Sequence, residues 1–257
     1  MEIKDQNEKI AFTLAEVLIT LAIIGVVAAM TIPTLIKDYQ NAQAVAALKK
    51  AYSQFNQALV QLTNDAGCNG DLKCTGLFSA PNVNIQAFGD EISKYLKSLQ
   101  VCGMAVGQGC WAKTMNTDID GTGTNYTYDS AATLYKFISA DGASFLLGTF
   151  KADCNTPSSW SNGVTGNMAQ ICGRLYVDVN GPAKGPNYYG RDIFLFWITN
   201  GKGALLYPAS GADDHYNNGN YWWNYWAPPC CTSGAAGRMD GSYCAGRIME
   251  ENWEMNY

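Results

Sequence analysis

His215 is the one histidine of the chain, and it follows Asp213 and Asp214 in the stretch GADDHYNN. A histidine beside carboxylates suggests hydrolysis or metal binding. Nucleophilic catalysis, however, needs a serine or cysteine delivered to such a base, and the chain has no GxSxG elbow. Walker A, dinucleotide-binding and HExxH patterns are also missing. In so polar a loop a solvent-exposed His215 is expected, and the chain reads as a non-enzyme.

Two loops offer oxygens. DIDGTGTNYTYD places Asp118, Asp120, Thr122 and Asp129 at the first, third, fifth and twelfth positions of a calcium-type loop, with Gly123 at the sixth, where the chain must turn sharply. Asp stands where a bidentate Glu is usual, and no flanking helix pair is evident, so a polar turn competes with Ca2+ there. In the second loop Asp178, Asn180, Asn187 and Asp192 surround the stretch VNGP. Its expected role is a strand-to-strand connection ordered by Asx turns.

Nine cysteines all follow the N-terminal apolar stretch. Eight of them fall in close pairs, Cys68 with Cys74, Cys102 with Cys110, Cys154 with Cys172, and Cys230 or Cys231 with Cys244, which leaves one of the two adjacent cysteines over. Such spacing, with turn residues between, suits disulfides in an oxidising compartment. Zinc is disfavoured, because neither a CxxC knuckle nor HxxxH occurs. Tyr221, Trp222, Trp223, Tyr225 and Trp226 form an aromatic cluster between NNGN and APPCC. Aromatics on a loop can stack on sugars or anchor a protein partner, and can equally form a satellite core beneath a disulfide-tied loop.

The elements that must carry these residues are read from periodicity. The chain has 257 residues, 47% hydrophobic and 15% charged, with a net charge of −5 and no basic cluster, which excludes a nucleic-acid partner. From Ile10 to Ile36 the only charge is Glu16. As a helix, Phe12 to Ile32 spans roughly 30 Å, the thickness of a bilayer core. A removed signal peptide is the rival, with VAAM at Val27 to Met30 as its cleavage site. Lys4 and Lys9 precede the span, interspersed with Glu2, Asp5 and Glu8, so the charge bias for orientation is weak. Beyond Pro33, apolar steps of three and four at Val45, Leu48, Tyr52, Phe55, Leu59 and Leu62 predict one continuous helix to about Asp65, closed by Gly67. Its first half is apolar all round and its second half amphipathic, made to pack on a globular head. Pro33 is expected to kink it or free a carbonyl.

KIA followed by FTLAE and an apolar run resembles the N-terminus of bacterial type IV prepilins and type II secretion pseudopilins. The resemblance implies cleavage by a prepilin peptidase between Ala11 and Phe12 at the cytoplasmic face, then methylation of the new Phe12 amine. Most members carry Gly before the cut, where this chain has Ala11, a departure the family tolerates. It implies that Glu16 of one subunit neutralises the Phe12 amine of its neighbour and sets axial register. Pro33 falls where pilins often carry a kinking proline. The implied partners are like or related pilin subunits, the peptidase, an inner-membrane assembly platform and the lipid bilayer. YVDVNGPAKGPNYYGRDIF and CAGRIMEENWEMNY are also similar to segments of large pilin-like proteins. Major pseudopilins often bind calcium in a C-terminal loop, but the spacing here does not carry those ligands over.

The remaining chain reads as α+β. Ile85, Phe88, Ile92, Leu96 and Leu99 predict a second amphipathic helix ending near Gly103. TLYKFISADGASFLLGTF predicts a hairpin turning at Asp141–Gly142, and RLYVDVNG, DIFLFWIT and GALLYP predict further strands. The expected layout is a leader (1–11), an assembly helix (12–36), its amphipathic continuation (37–66) and an extracytoplasmic head (67–257), with the long helix against an antiparallel sheet. The expected function is a pilin or pseudopilin subunit, and the large head suits a minor one. The alternative is a tethered or secreted binding protein that grips its partner with Trp222, Trp223 and Trp226.

Overall fold

The apolar run and the amphipathic run that follows it form one helix, α1, from Leu14 to Asp65. The computed structural model describes residues 13–78, 84–149, 152–155, 169–200, 205–209, 231 and 240–257. The chain divides into two compact units, Met1–Asn41 and Ala42–Tyr257, and α1 contributes to both. Helix continues through Pro33. A proline has no N–H, so the carbonyl of Ala29, one turn earlier, loses its helical donor.

In the first unit, α1 is long and apolar enough to cross a membrane, and its apolar window buries nothing. Leu14 is 78% exposed, Ile24 63% and Leu35 65%.

The second unit begins with the amphipathic part of α1. Leu48, Phe55 and Leu59 are fully buried, at the helical spacing that puts them on one face. The helix ends in a Schellman closure. Gly67 takes φ +74, and the Cys68 N–H donates to the Thr63 carbonyl at 2.7 Å. α2 (Ile85–Tyr95) follows, its first turn capped by Asn84, whose side chain accepts from the Ala87 N–H at 3.1 Å. Next come β1 (Ser98–Gly103), a small ribbon of β2 (Met115–Asn116) and β3 (Asn125–Tyr126), then β4 (Tyr135–Ser139), β5 (Ser144–Thr149), β6 (Ile171–Asp178), β7 (Ile193–Thr199), β8 (Leu206–Pro208) and α3 (Cys244–Glu250).

Six strands form one sheet in the order β1-β4-β5-β6-β7-β8, every neighbouring pair antiparallel. Strands β4 to β8 are buried on both faces, and the period of two sorts their side chains. Phe145, Leu147, Leu175, Val177, Phe194, Phe196 and Ile198 meet α1, α2 and α3. Leu146, Tyr176, Leu195 and Trp197 point the other way, into a second core around Trp111 and Tyr189. Phe145 stacks on Phe55 at 5.8 Å and on Phe137 at 5.1 Å. The C-terminal tail returns to α1, where Trp253 packs on Tyr52 at 5.8 Å and lies under the Lys49 ammonium at 5.5 Å.

The α+β class, the long helix, the hairpin at Asp141–Gly142 and strands β6 to β8 agree with the sequence reading. The second helix is shorter than expected. It stops at Tyr95, and Ser98–Gly103 pairs with β4 instead of continuing to Gly103 as helix. Leu96 is the last residue of the buried stripe, whereas Leu99 is 72% exposed on the edge strand. The apolar spacing alone suits either state. The unpaired edge of β4, far away in sequence, decides for strand.

Candidate functional site

Glu16 occupies the start of α1, and its surroundings are local. Thr13 caps the helix: its hydroxyl accepts from the Glu16 N–H at 3.3 Å, and the Glu16 carboxylate accepts from the Thr13 N–H at 2.9 Å and hydroxyl at 2.8 Å. This is a capping box, in which two otherwise orphaned backbone donors are satisfied reciprocally. Its signature, Thr-x-x-Glu, is present in TLAE. The carboxylate therefore has a helix-starting role in the single chain as well as any role between chains. Ala11 and Phe12, the expected processing residues, lie outside the described residues, as do His215, Cys230 and the aromatic residues Trp222, Trp223 and Trp226.

Four cysteine pairs are at disulfide distance: Cys68–Cys74, Cys102–Cys110, Cys154–Cys172 and Cys231–Cys244. Three match the pairs read from spacing. The fourth resolves the choice at the adjacent cysteines in favour of Cys231 as the partner of Cys244. Cys231 is fully buried against Ile119, which places it within reach of α3.

The loop 118–129 is ordered around a side chain that the sequence reading passed over. Asn116 is almost fully buried. Its amide nitrogen donates to the Gly121 carbonyl (3.0 Å), the Gly123 carbonyl (2.9 Å) and Asn125 Oδ1 (3.0 Å), while its oxygen accepts from the Asp118 and Gly123 N–H groups. The backbone carbonyl that a calcium loop supplies from its seventh position is that of Thr124, and it accepts from the Thr117 N–H at 3.1 Å. Asp120 accepts from the Thr122 N–H and hydroxyl at 3.0 and 2.7 Å. Asp129 sits on a short helical turn, Tyr128–Ser130, where its charge favours the buried ammonium of Lys136. Of the four expected ligands Asp120 and Thr122 meet, and among the described residues no three His, Cys, Asp or Glu side chains gather.

The connection from β6 to β7 does form the expected Asx turn, with the Asn180 and Gly181 N–H groups donating to Asp178 Oδ1 at 3.3 and 3.0 Å. Gly181 has φ +88, and a Cβ there would meet the Gly142 carbonyl at 2.5 Å, so only glycine fits. Asp192, at the far end of the connection, accepts from the Asn187 and Tyr188 N–H groups at 2.8 Å each. Burial and the Asp192 charge push the Asp178 carboxyl up to about 8, and burial raises that of Asp192.

Comparison of the chain with protein-family models, with curated proteins and with solved structures gave no match.

Proposed function

We propose that the chain is a structural subunit of a membrane-anchored filament of the type IV pilus or type II secretion kind. In this reading it is made as a precursor, cut after Ala11 by a prepilin peptidase, and assembled through the first half of α1. The observation that carries the reading is the exposed apolar segment from Leu14 to Ile36, whose one charged residue is Glu16 near its start. Water does not tolerate such a surface in a monomer. Each Leu, Ile or Val side chain removed from water contributes about 1.5–3 kcal/mol, whether the cover is lipid or a neighbouring helix. A carboxylate within that segment costs roughly 2.5–3.5 kcal/mol to insert and calls for a partner. A free amine at Phe12 of an adjacent subunit supplies one, and a pair of that kind specifies alignment more than it adds stability.

The disulfide-rich second unit then lies outside the cytoplasm, where its cysteines stay oxidised. The test is top-down mass spectrometry of the chain from native membranes. A mature chain beginning at methylated Phe12 is the expected result. A chain beginning near Met30 would mean a removed signal peptide. That result, or an uncut Met1, would overturn the filament reading in favour of a secreted or tethered binding protein.

A further inference from the structure

Among the described residues the second unit exposes four large apolar side chains: Val60 at 41%, Leu99 at 72%, Val101 at 50% and Val106 at 47%. Three of them fall within eight residues, on β1 and the loop that follows it. Residues 98–112 carry no charge at all. An apolar surface stripped of charge has the composition of the centre of a protein interface.

The patch is also held rigid. The Cys102–Cys110 disulfide ties the loop to β1. The Gln100 amide nitrogen donates to the Gln108 carbonyl at 3.1 Å. The Gly107 N–H donates to the Asp129 carbonyl at 3.3 Å, and the buried Lys136 ammonium to the Ala105 carbonyl at 3.1 Å. A surface fixed in this way has little conformational entropy left to lose when it is covered.

β1 is an edge of the sheet and pairs with β4 alone. A free edge invites an added strand. Here, however, register slips on both sides of Gln100 and Val101 break the ladder that such a strand would need. The patch therefore suits a folded surface that meets its side chains. An acidic or basic partner would be selected by charge, and the patch offers none. The whole chain has a net charge of −5, so two copies repel each other in general, but not across an uncharged face. A second copy brings the same apolar face, and a two-fold contact requires a surface that complements itself.

We propose that Leu99, Val101 and Val106 form a two-fold docking surface for a second copy of this chain. Residues 99–101 and 105–109 are exposed there. A standard interface takes roughly 20–30 residues a side, so the pair is weak and reversible. Such a pair is independent of the filament reading: a two-fold contact closes on two chains, whereas a filament repeats a head-to-tail one.

The test uses the full-length chain in detergent micelles, with donor-labelled and acceptor-labelled populations mixed at about 100 μM. Energy transfer that disappears on dilution is the expected result. Val101→Asp and Val101→Lys should each weaken pairing at least about tenfold, because like charges then face each other. Mixed together, the two variants should pair at least as well as wild type. Wild type without energy transfer at that concentration would overturn the proposal. So would a Val101→Asp protein that pairs as wild type does, which would move the contact to α1 or another face. Variants that weaken pairing and do not recover on mixing would show that the patch meets a different surface, and the two-fold contact would be wrong. If the Val101 variants do not fold, Val106→Asp and Val106→Lys on the loop decide in the same way.

Discussion

Thr13 and Glu16 close a reciprocal ring at the start of α1, with the carboxylate on the Thr13 N–H at 2.9 Å and the Thr13 hydroxyl on the Glu16 N–H at 3.3 Å. The ring separates two roles that a simple deletion of the carboxylate would confuse. Glutamine at the third helical position also completes a capping box, but it carries no charge. In the filament reading, Glu16→Gln should therefore leave helix content unchanged while abolishing crosslinking between subunits through cysteines introduced into α1. Glu16→Ala should lose both the crosslinking and the capping of the Thr13 N–H, with a lower helix content. Crosslinking that survives Glu16→Gln would assign the carboxylate to capping alone.

Lys136 is fully buried in β4, its ammonium donating to the carbonyls of Ala131 at 2.9 Å and Ala105 at 3.1 Å. Burial lowers its proton affinity and the Asp129 charge restores part of it. Lys136→Met keeps the length of the side chain but strands both carbonyls and leaves the buried Asp129 without its neighbouring cation. The loss should be about 3 kcal/mol in urea unfolding. Lys136→Met combined with Asp129→Asn should recover part of it, since the second change removes the uncompensated charge. A Lys136→Met protein as stable as wild type would show that the ammonium contributes nothing net.

The buried carboxyl groups of the β6–β7 connection predict an inverted pH response. The Asp178 group is raised from 3.8 to about 8. A group raised in the folded state favours folding below its unfolded value and loses that contribution as pH rises through its folded value. The stability of wild type, measured relative to Asp178→Asn, should therefore fall from about pH 4 to about pH 8 and level off above. Urea midpoints of the two proteins across that window give the difference directly. A difference that stays flat would mean that Asp178 does not hold its proton in the fold.

Much of this architecture is written locally. Leu48, Tyr52, Phe55 and Leu59 recur at helical spacing, so α1 and its buried face follow from neighbours a few residues apart. The alternation around Asp141–Gly142 specifies the β4–β5 hairpin in the same way, because the turn and both strands lie within one short segment. Three of the four disulfides close short loops and were visible in the cysteine spacing. The Thr-x-x-Glu cap is equally local, four consecutive residues in TLAE.

What the residues by themselves determined is the apolar segment with its carboxylate, the helical and alternating stretches, and the cysteine-rich head. Each of these follows from contacts between near neighbours in the chain. Only the tertiary structure decided that Leu99 leaves the second helix for a strand, that Asn116 orders the loop where a polar turn competed with a cation site, and that Cys231 pairs with Cys244. It also decided that Asp178 and Asp192 are both buried. Those outcomes depend on which distant strand edges and loops meet, and the registers of β1 on β4 and of β6 on β7 supply that information.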